Sequence, residues 1–162
     1  MLVSGGKSIY GARIGILMLE AQFPRISGDM GNAETWPFPV LYKIVRGATP
    51  DRVVRKNAEG TLDRFIAAAE ELVSDGADAI TTNCGFLSIF QKELSAAVRV
   101  PVLTSSLMQV STVNTLLPDS KKAGILTISK STLSDAHLRA ANVPSDTPVS
   151  YTHLRAHETL LD

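Results

Sequence analysis

The sequence holds one cysteine, Cys84, in the string Asn83-Cys84-Gly85, where a short apolar run ends and a helix-like pattern begins. A thiol at such a junction faces the positive end of a helix, which favours the thiolate and sets an expected pKa below the free value of about 8.5. A thiolate is a nucleophile and also a base competent towards a carbon acid. Gly85 allows a sharp turn and the close approach of a ligand. The alternative is a cysteine that packs as a small hydrophobe. Three more strings fall at comparable junctions: Leu19-Glu20, Thr104-Ser105-Ser106 and Thr127-Ile128-Ser129. Hydroxyls and free helix N–H groups are the donors that an anion needs, although Ser and Thr are also good helix N-caps. Convergence of these strings on one sheet edge favours a binding cleft. His137 lies in a helical pattern and reads as a surface residue, so no Cys–His hydrolase pair is expected.

The elements that position these residues alternate along the chain. Strands are expected over 13–19, 40–45, 78–83, 101–104 and 123–128, from short β-rich apolar runs. Helices are expected over 58–74, 86–98, 107–117 and 131–141. The first places Leu62, Phe65, Ile66, Ala69, Leu72 and Val73 at three-four spacing, with Gly76 as its C-terminal cap. Residues 20–39, rich in Gly and Pro, read as a long loop of the functional kind. Strand–helix alternation with short connections implies parallel pairing and right-handed crossovers. The expected fold is an open, mainly parallel α/β sheet with helices on both faces, whose ligands sit at the carboxyl ends of the strands.

Composition narrows the function classes. The chain has 162 residues, 44% of them hydrophobic, enough for a real core. Lys plus Arg equals Asp plus Glu at 16 each, which argues for neither a nucleic-acid nor a membrane partner. One cysteine excludes an internal disulfide and a Cys-based structural zinc site. No apolar run suits a membrane span and no signal peptide opens the chain, so a cytoplasmic protein is expected. Residues Val149 to Thr159 match the translation of a transposase adapter used in DNA library preparation. The segment 149–162 is therefore expected to be non-native, and the His153/His157 pair is set aside as a metal site. Residues 1–117 then read as a first α/β lobe and 118–148 as the start of a second, with the native chain continuing past Pro148.

The segments "IGILMLEAQFPRISGDMGNAETWPFPV", "ADAITTNCGFLSIFQKELSAAVRVPVLTSSL" and "KAGILT" resemble the aspartate/glutamate racemase superfamily. The resemblance runs from Arg13 to Ala141 and is most specific around Cys84. It implies two similar lobes with the site between them, one cysteine from each, and neither cofactor nor metal. One thiolate takes the proton next to the carboxylate, and the other thiol returns a proton to the opposite face. The resemblance makes Cys84 the first-lobe acid/base, with Gly85 and Phe86 offering backbone N–H groups to a small carboxylate substrate. Asn83, Ser105, Ser106 and Thr127 would line the cleft, and a homodimer is compatible with it. Amino-acid racemases of the family place Asn-Thr after this cysteine, and the glutamate enzymes end the first strand in Asp-Ser. Here Gly85-Phe86 and Leu19-Glu20 stand instead, removing side-chain contacts to an amino acid's charged groups. Phe86 either selects a different acid or belongs to the core. The implied activity is a cofactor-independent racemase or epimerase, with the chain itself inactive because the second cysteine lies beyond it. A maleate isomerase or arylmalonate decarboxylase relative and a non-catalytic small-anion-binding module are the alternatives.

Overall fold

The computed structural model describes residues 12–151. The apolar run at the start becomes β1 (Ile14–Leu19), buried along nearly its whole length. Its neighbours are β2 (Val40–Val45), β3 (Ala79–Thr82) and β4 (Val102–Leu103), in the order β2-β1-β3-β4 with every pairing parallel. A strand flanked on both sides and covered on both faces has no reason to alternate polar and apolar residues, which accounts for the sequence Ile-Gly-Ile-Leu-Met-Leu.

One face of the sheet receives α1 (Leu62–Ser74), which packs Phe65, Ala69 and Leu72 against Leu17, Leu19, Val45 and Ile80. Gly15 permits this approach, since a Cβ there would lie 3.0 Å from Leu72 Cδ1. The helix ends as expected: Gly76 takes φ +96°, its N–H donates to Val73 O, and Ala77 N–H donates to Leu72 O. This pair of bonds satisfies carbonyls that the last turn leaves free. On the opposite face the 20–39 loop lies against β1 where Gly31 meets Met18. The loop is bonded to itself and to β2: Asp29 Oδ1 accepts from Arg25 Nη1 and Gly31 N, while Trp36 Nε1 donates to Met30 O and Tyr42 Oη.

All four helices differ from the sequence pattern, the last beginning at Asp135 rather than at 131. Residues 58–61 are not helical, because Asn57 and Ala58 take positive φ after a π-type turn at Asp51–Arg55. The segment after Cys84 is a 3-10 turn, Gly85–Phe90, that runs into α2 (Gln91–Ala97). A second 3-10 turn, Ser106–Met108, leads into α3 (Gln109–Leu116). The fifth strand, β5 (Ile125–Thr127), does not join the first sheet. It pairs in parallel with β6 (Val149–Tyr151) in a separate two-stranded sheet, with α4 (Asp135–Ala140) between them. β6 thus uses the first residues of the segment expected to be non-native, while His153 and His157 lie outside the described residues. Leu107, Val110, Ile125, Ala141 and Val143 form a second small core. Among the described residues no helix is long and apolar enough to cross a membrane.

Candidate functional site

Parallel strands deliver their carboxyl ends to one edge, and the residues just beyond β3 and β4 meet there with residues of β5 from the separate two-stranded sheet. They enclose a cleft of about 270 Å³ lined by Asn83, Cys84, Gly85, Phe86, Ser105, Ser106 and Thr127. These are the seven residues that the resemblance assigned to the site, and the structure brings all of them together, whereas Leu19, Glu20, Thr104 and Ser129 of the junction strings do not line the cleft. Leu107, Ile125, Leu126, Ile128 and Leu133 also line it. Ile128 belongs to the Thr127-Ile128-Ser129 string, and the other four were missed because an apolar residue flanking a polar one looks like ordinary core. No residue lining this cleft carries a charged side chain.

The turns are held by a chain of hydrogen bonds. Asn83 Oδ1 accepts from Leu19 N at 2.9 Å and Asn83 N donates to Leu17 O at 3.1 Å, which fastens the end of β3 to the end of β1. The buried Thr82 hydroxyl donates to Thr104 O at 2.7 Å, and Cys84 N approaches Thr82 Oγ1 at 3.4 Å. Gln91 Oε1 accepts from Thr104 N at 3.0 Å and from Thr104 Oγ1 at 2.7 Å, while its Nε2 donates to Val102 O. The Cys84 turn and the Ser105 turn are therefore tied through two buried threonines and one glutamine. Ser105 caps its own 3-10 turn, accepting from Leu107 N at 3.1 Å, and its hydroxyl hydrogen is left to point elsewhere. A Cβ on Gly85 would stand 3.2 Å from Ser105 Oγ, so glycine sets the spacing of the two turns. Thr127 Oγ1 approaches Ser129 N at 3.4 Å, and Ser106 is exposed at the mouth.

Two expectations are corrected. The Cys84 thiol is not shifted towards the thiolate: burial pushes its pKa up from 9.0 to about 11, outweighing the Phe86 N–H that pulls it down. The reason is local. Cys84 precedes a six-residue 3-10 turn rather than a long α-helix, and it packs against the main core. His137 is not a surface residue; it is fully buried beneath the turn, its ring set at 80° to that of Phe86 with 5.4 Å between centroids. Phe86 is thus both core, at 5% exposure, and part of the cleft wall.

Glu20, at the end of β1, is turned away from any ligand. Its carboxylate accepts from Gly47 N at 2.7 Å and Arg46 Nη1 at 2.9 Å, and these bonds hold its pKa below the ordinary value. A larger open groove of about 670 Å³ between β2 and α1 contains Lys43, Arg46, Arg64 and Glu71. Its charges are engaged locally, Lys43 with Glu71, Arg46 with Glu20, and Arg64 donating to Arg46 O. The thiol lies in the smaller cleft, which is therefore the candidate site. Among the described residues no group of three His, Cys, Asp or Glu side chains could hold a metal ion.

No family model matches the chain. It is similar to a dimethylsulfoniopropionate lyase of Durusdinium sp. clade D, 26% identical over 128 residues, covering 78% of this chain and 42% of the lyase. It is also similar to dimethylsulfoniopropionate lyase 7 of Emiliania huxleyi (strain CCMP1516), 30% identical over 101 residues, covering 62% of this chain and 30% of that protein. The chain therefore spans less than half the length of these curated relatives. Among solved structures it is similar to an aspartate racemase homologue from Pyrococcus horikoshii OT3, with TM-score 0.49, 15% identity, and coverage of 93% of this chain and 68% of that one. An aspartate racemase of Picrophilus torridus gives TM-score 0.47, 17% identity, and coverage of 92% and 66%. The relatives by sequence are enzymes, and they are named as lyases rather than racemases, so an isomerase does not follow from them.

Proposed function

We propose that this chain carries the thiol-bearing part of an active site that removes the proton next to the carboxylate of a small carboxylic acid. The observation that carries this reading is the convergence of Cys84, the hydroxyls of Ser105, Ser106 and Thr127, and the N–H groups of the 85–86 turn in one uncharged cleft. In that arrangement Cys84 Sγ accepts the proton and the C–H electron pair moves into the carboxylate, giving an enediolate-like dianion. Fixed N–H and hydroxyl donors at the strand ends are the groups that stabilise such a charge, because they need no reorganisation as it develops.

The carbanion then has two fates. Reprotonation on the opposite face gives racemisation or epimerisation and needs a second acid. Expulsion of a leaving group on the next carbon, which departs with its bonding pair, gives elimination. The lyase names of the sequence relatives support the second fate, since a sulfonium attached to a propionate is such a leaving group. In either case a thiol near pKa 11 leaves about one molecule in 10⁴ as thiolate at pH 7. A working thiol base in this cleft therefore needs a neighbouring group that lowers that pKa when substrate binds. The high pKa also favours a second reading, a non-catalytic module that holds a small carboxylate.

Isotope exchange decides between them. Small carboxylic acids, with and without a leaving group, are incubated with the chain in deuterated buffer near pH 9.5, and incorporation at the carbon next to the carboxylate is followed by NMR. Exchange that disappears in C84S while carboxylate binding persists supports the thiol base. Binding without exchange in the wild type supports the holding module, and exchange unchanged in C84S rejects Cys84 as the base. Formation of an unsaturated acid separates elimination from racemisation.

A further inference from the structure

His137 is fully buried, and the chemistry assigned to Cys84 gives it no role. It stands at the third position of α4 and closes a reciprocal cap: Ser134 N donates to His137 Nδ1 at 3.2 Å, and Ser134 Oγ lies 2.8 Å from the same nitrogen. A ring nitrogen that accepts from a backbone N–H carries no hydrogen, so in the neutral ring the hydrogen sits on Nε2. Nε2 is buried and has no hydrogen-bond partner. Two contacts then seat α4 on the turn that follows Cys84. The His137 ring meets Phe86 in a T-shaped arrangement, and the His137 carbonyl accepts from the buried Ser88 hydroxyl at 3.1 Å.

We propose that His137 is a pH-sensitive latch whose neutral ring seats α4 on the Cys84 turn and whose protonation unseats it. A protonated ring keeps the Ser134 hydroxyl as a partner but can no longer accept from Ser134 N, so the cap is broken. Its Nε2–H still finds no acceptor, and the charge lies in apolar surroundings where an unpaired cation is costly. Among the described residues nothing nearby offers compensation. The turn 85–90 carries no titratable side chain, and Cys84 at its head stays a neutral thiol in this range. On α4 itself, Asp135 and Arg139 are exposed and lie 4.0 Å from each other; Lys130, before the helix, is exposed as well. Burial accordingly holds the His137 pKa below its ordinary value, opposed by a smaller contribution from Ser134. Above that value the latch is closed, and it opens as the pH falls. The consequence for turnover rests on the role given to Cys84 above, but the latch itself is tested without any activity.

The test uses the whole chain and the rate at which N-ethylmaleimide modifies Cys84, divided by the rate for the urea-unfolded chain at the same pH. At pH 5 and pH 7.5 both thiols lie far below their pKa values, so the thiolate fractions cancel in the ratio and only opening of the turn remains. In the wild type the ratio rises on going from pH 7.5 to pH 5, by at most about thirtyfold. The ceiling is the 1.5 pH units between pH 5 and the ordinary imidazole value of 6.5. H137Q supplies a glutamine that keeps the reciprocal cap and does not titrate, so its ratio stays flat over the same range. A flat wild-type ratio, or an equal rise in H137Q, overturns the proposal. A second reading needs no variant: amide exchange in the wild type, corrected for intrinsic rates, should accelerate at Leu87–Phe90 on acidification while Ile16 and Leu17 hold. Equal acceleration at both places marks global unfolding and also overturns it.

Discussion

Raising the pH should weaken the fold through a single atom, Cys84 Sγ. In the unfolded chain the thiol loses its proton near 9.0, whereas in the fold burial delays this to about 11. Between those values the unfolded state binds fewer protons than the native one, so stability falls with pH. Below about pH 8 the thiol is protonated in both states and makes no pH-dependent contribution. Two pKa units correspond to about 3 kcal/mol in total, and about 1 kcal/mol is already lost by pH 10. The measurement is urea unfolding of the wild type and C84S near neutral pH and near pH 10, followed by fluorescence of Trp36, the single tryptophan. Comparing the two proteins at each pH removes the titration of lysines and tyrosines, which they share. The wild type should lose about 1 kcal/mol more than C84S over that interval, and the thiolate absorbance of the native wild type should rise with a midpoint well above 9. A midpoint at or below about 8.5, or identical alkaline losses in the two proteins, would refute the reasoning. It would mean that the N–H groups of the 85–86 turn outweigh desolvation.

Three further outcomes are expected. Gly76→Ala should destabilise the chain by about 2 kcal/mol in urea unfolding, because φ is +96° and the new Cβ would stand 2.4 Å from Arg13 Nη2. Gln91→Leu removes the acceptor for both the N–H and the hydroxyl of Thr104, whose buried groups then lack partners; a loss of about 1–3 kcal/mol is expected, with faster alkylation of Cys84. Gly85→Ala should change global stability little, since only the Ser105 hydroxyl must shift from 3.2 Å, yet it should weaken carboxylate binding measured by calorimetry by displacing that hydroxyl and adding a methyl group at the cleft.

The sequence was most informative where function depends on strand order. Parallel strands put the residues after β3 and β4 on one edge whatever their side chains, so Cys84 and Ser105 could be grouped before any distance was known, whereas Thr127 reaches the same cleft from the separate two-stranded sheet. Gly76 was legible for a related reason: a left-handed position after a helix is a local demand of the backbone. The protonation state of Cys84 was not legible. The helix-end argument needs a long helix, and Gly-Phe-Leu-Ser-Ile-Phe forms a short 3-10 turn in which burial prevails. His137 was misplaced because its partners are far away in sequence, with Phe86 and Ser88 about fifty positions earlier. No periodicity over one short helix reports on a contact of that range. The same non-locality separated β5 from the first sheet, since an isolated apolar run does not say which edge it will join.

The cleft is built from two kinds of wall. Cys84 and Ser105 stand on turns locked together by Thr82, Thr104 and Gln91, whereas Ile125, Leu126, Thr127 and Ile128 come from a two-stranded sheet outside that lock. Substitutions on β5 can therefore resize or repolarise the pocket without touching any hydrogen bond that aims the thiol. A lineage built on this scaffold is free to change which small molecule the cleft admits, residue by residue, while the Cys84 sulfur stays where it is.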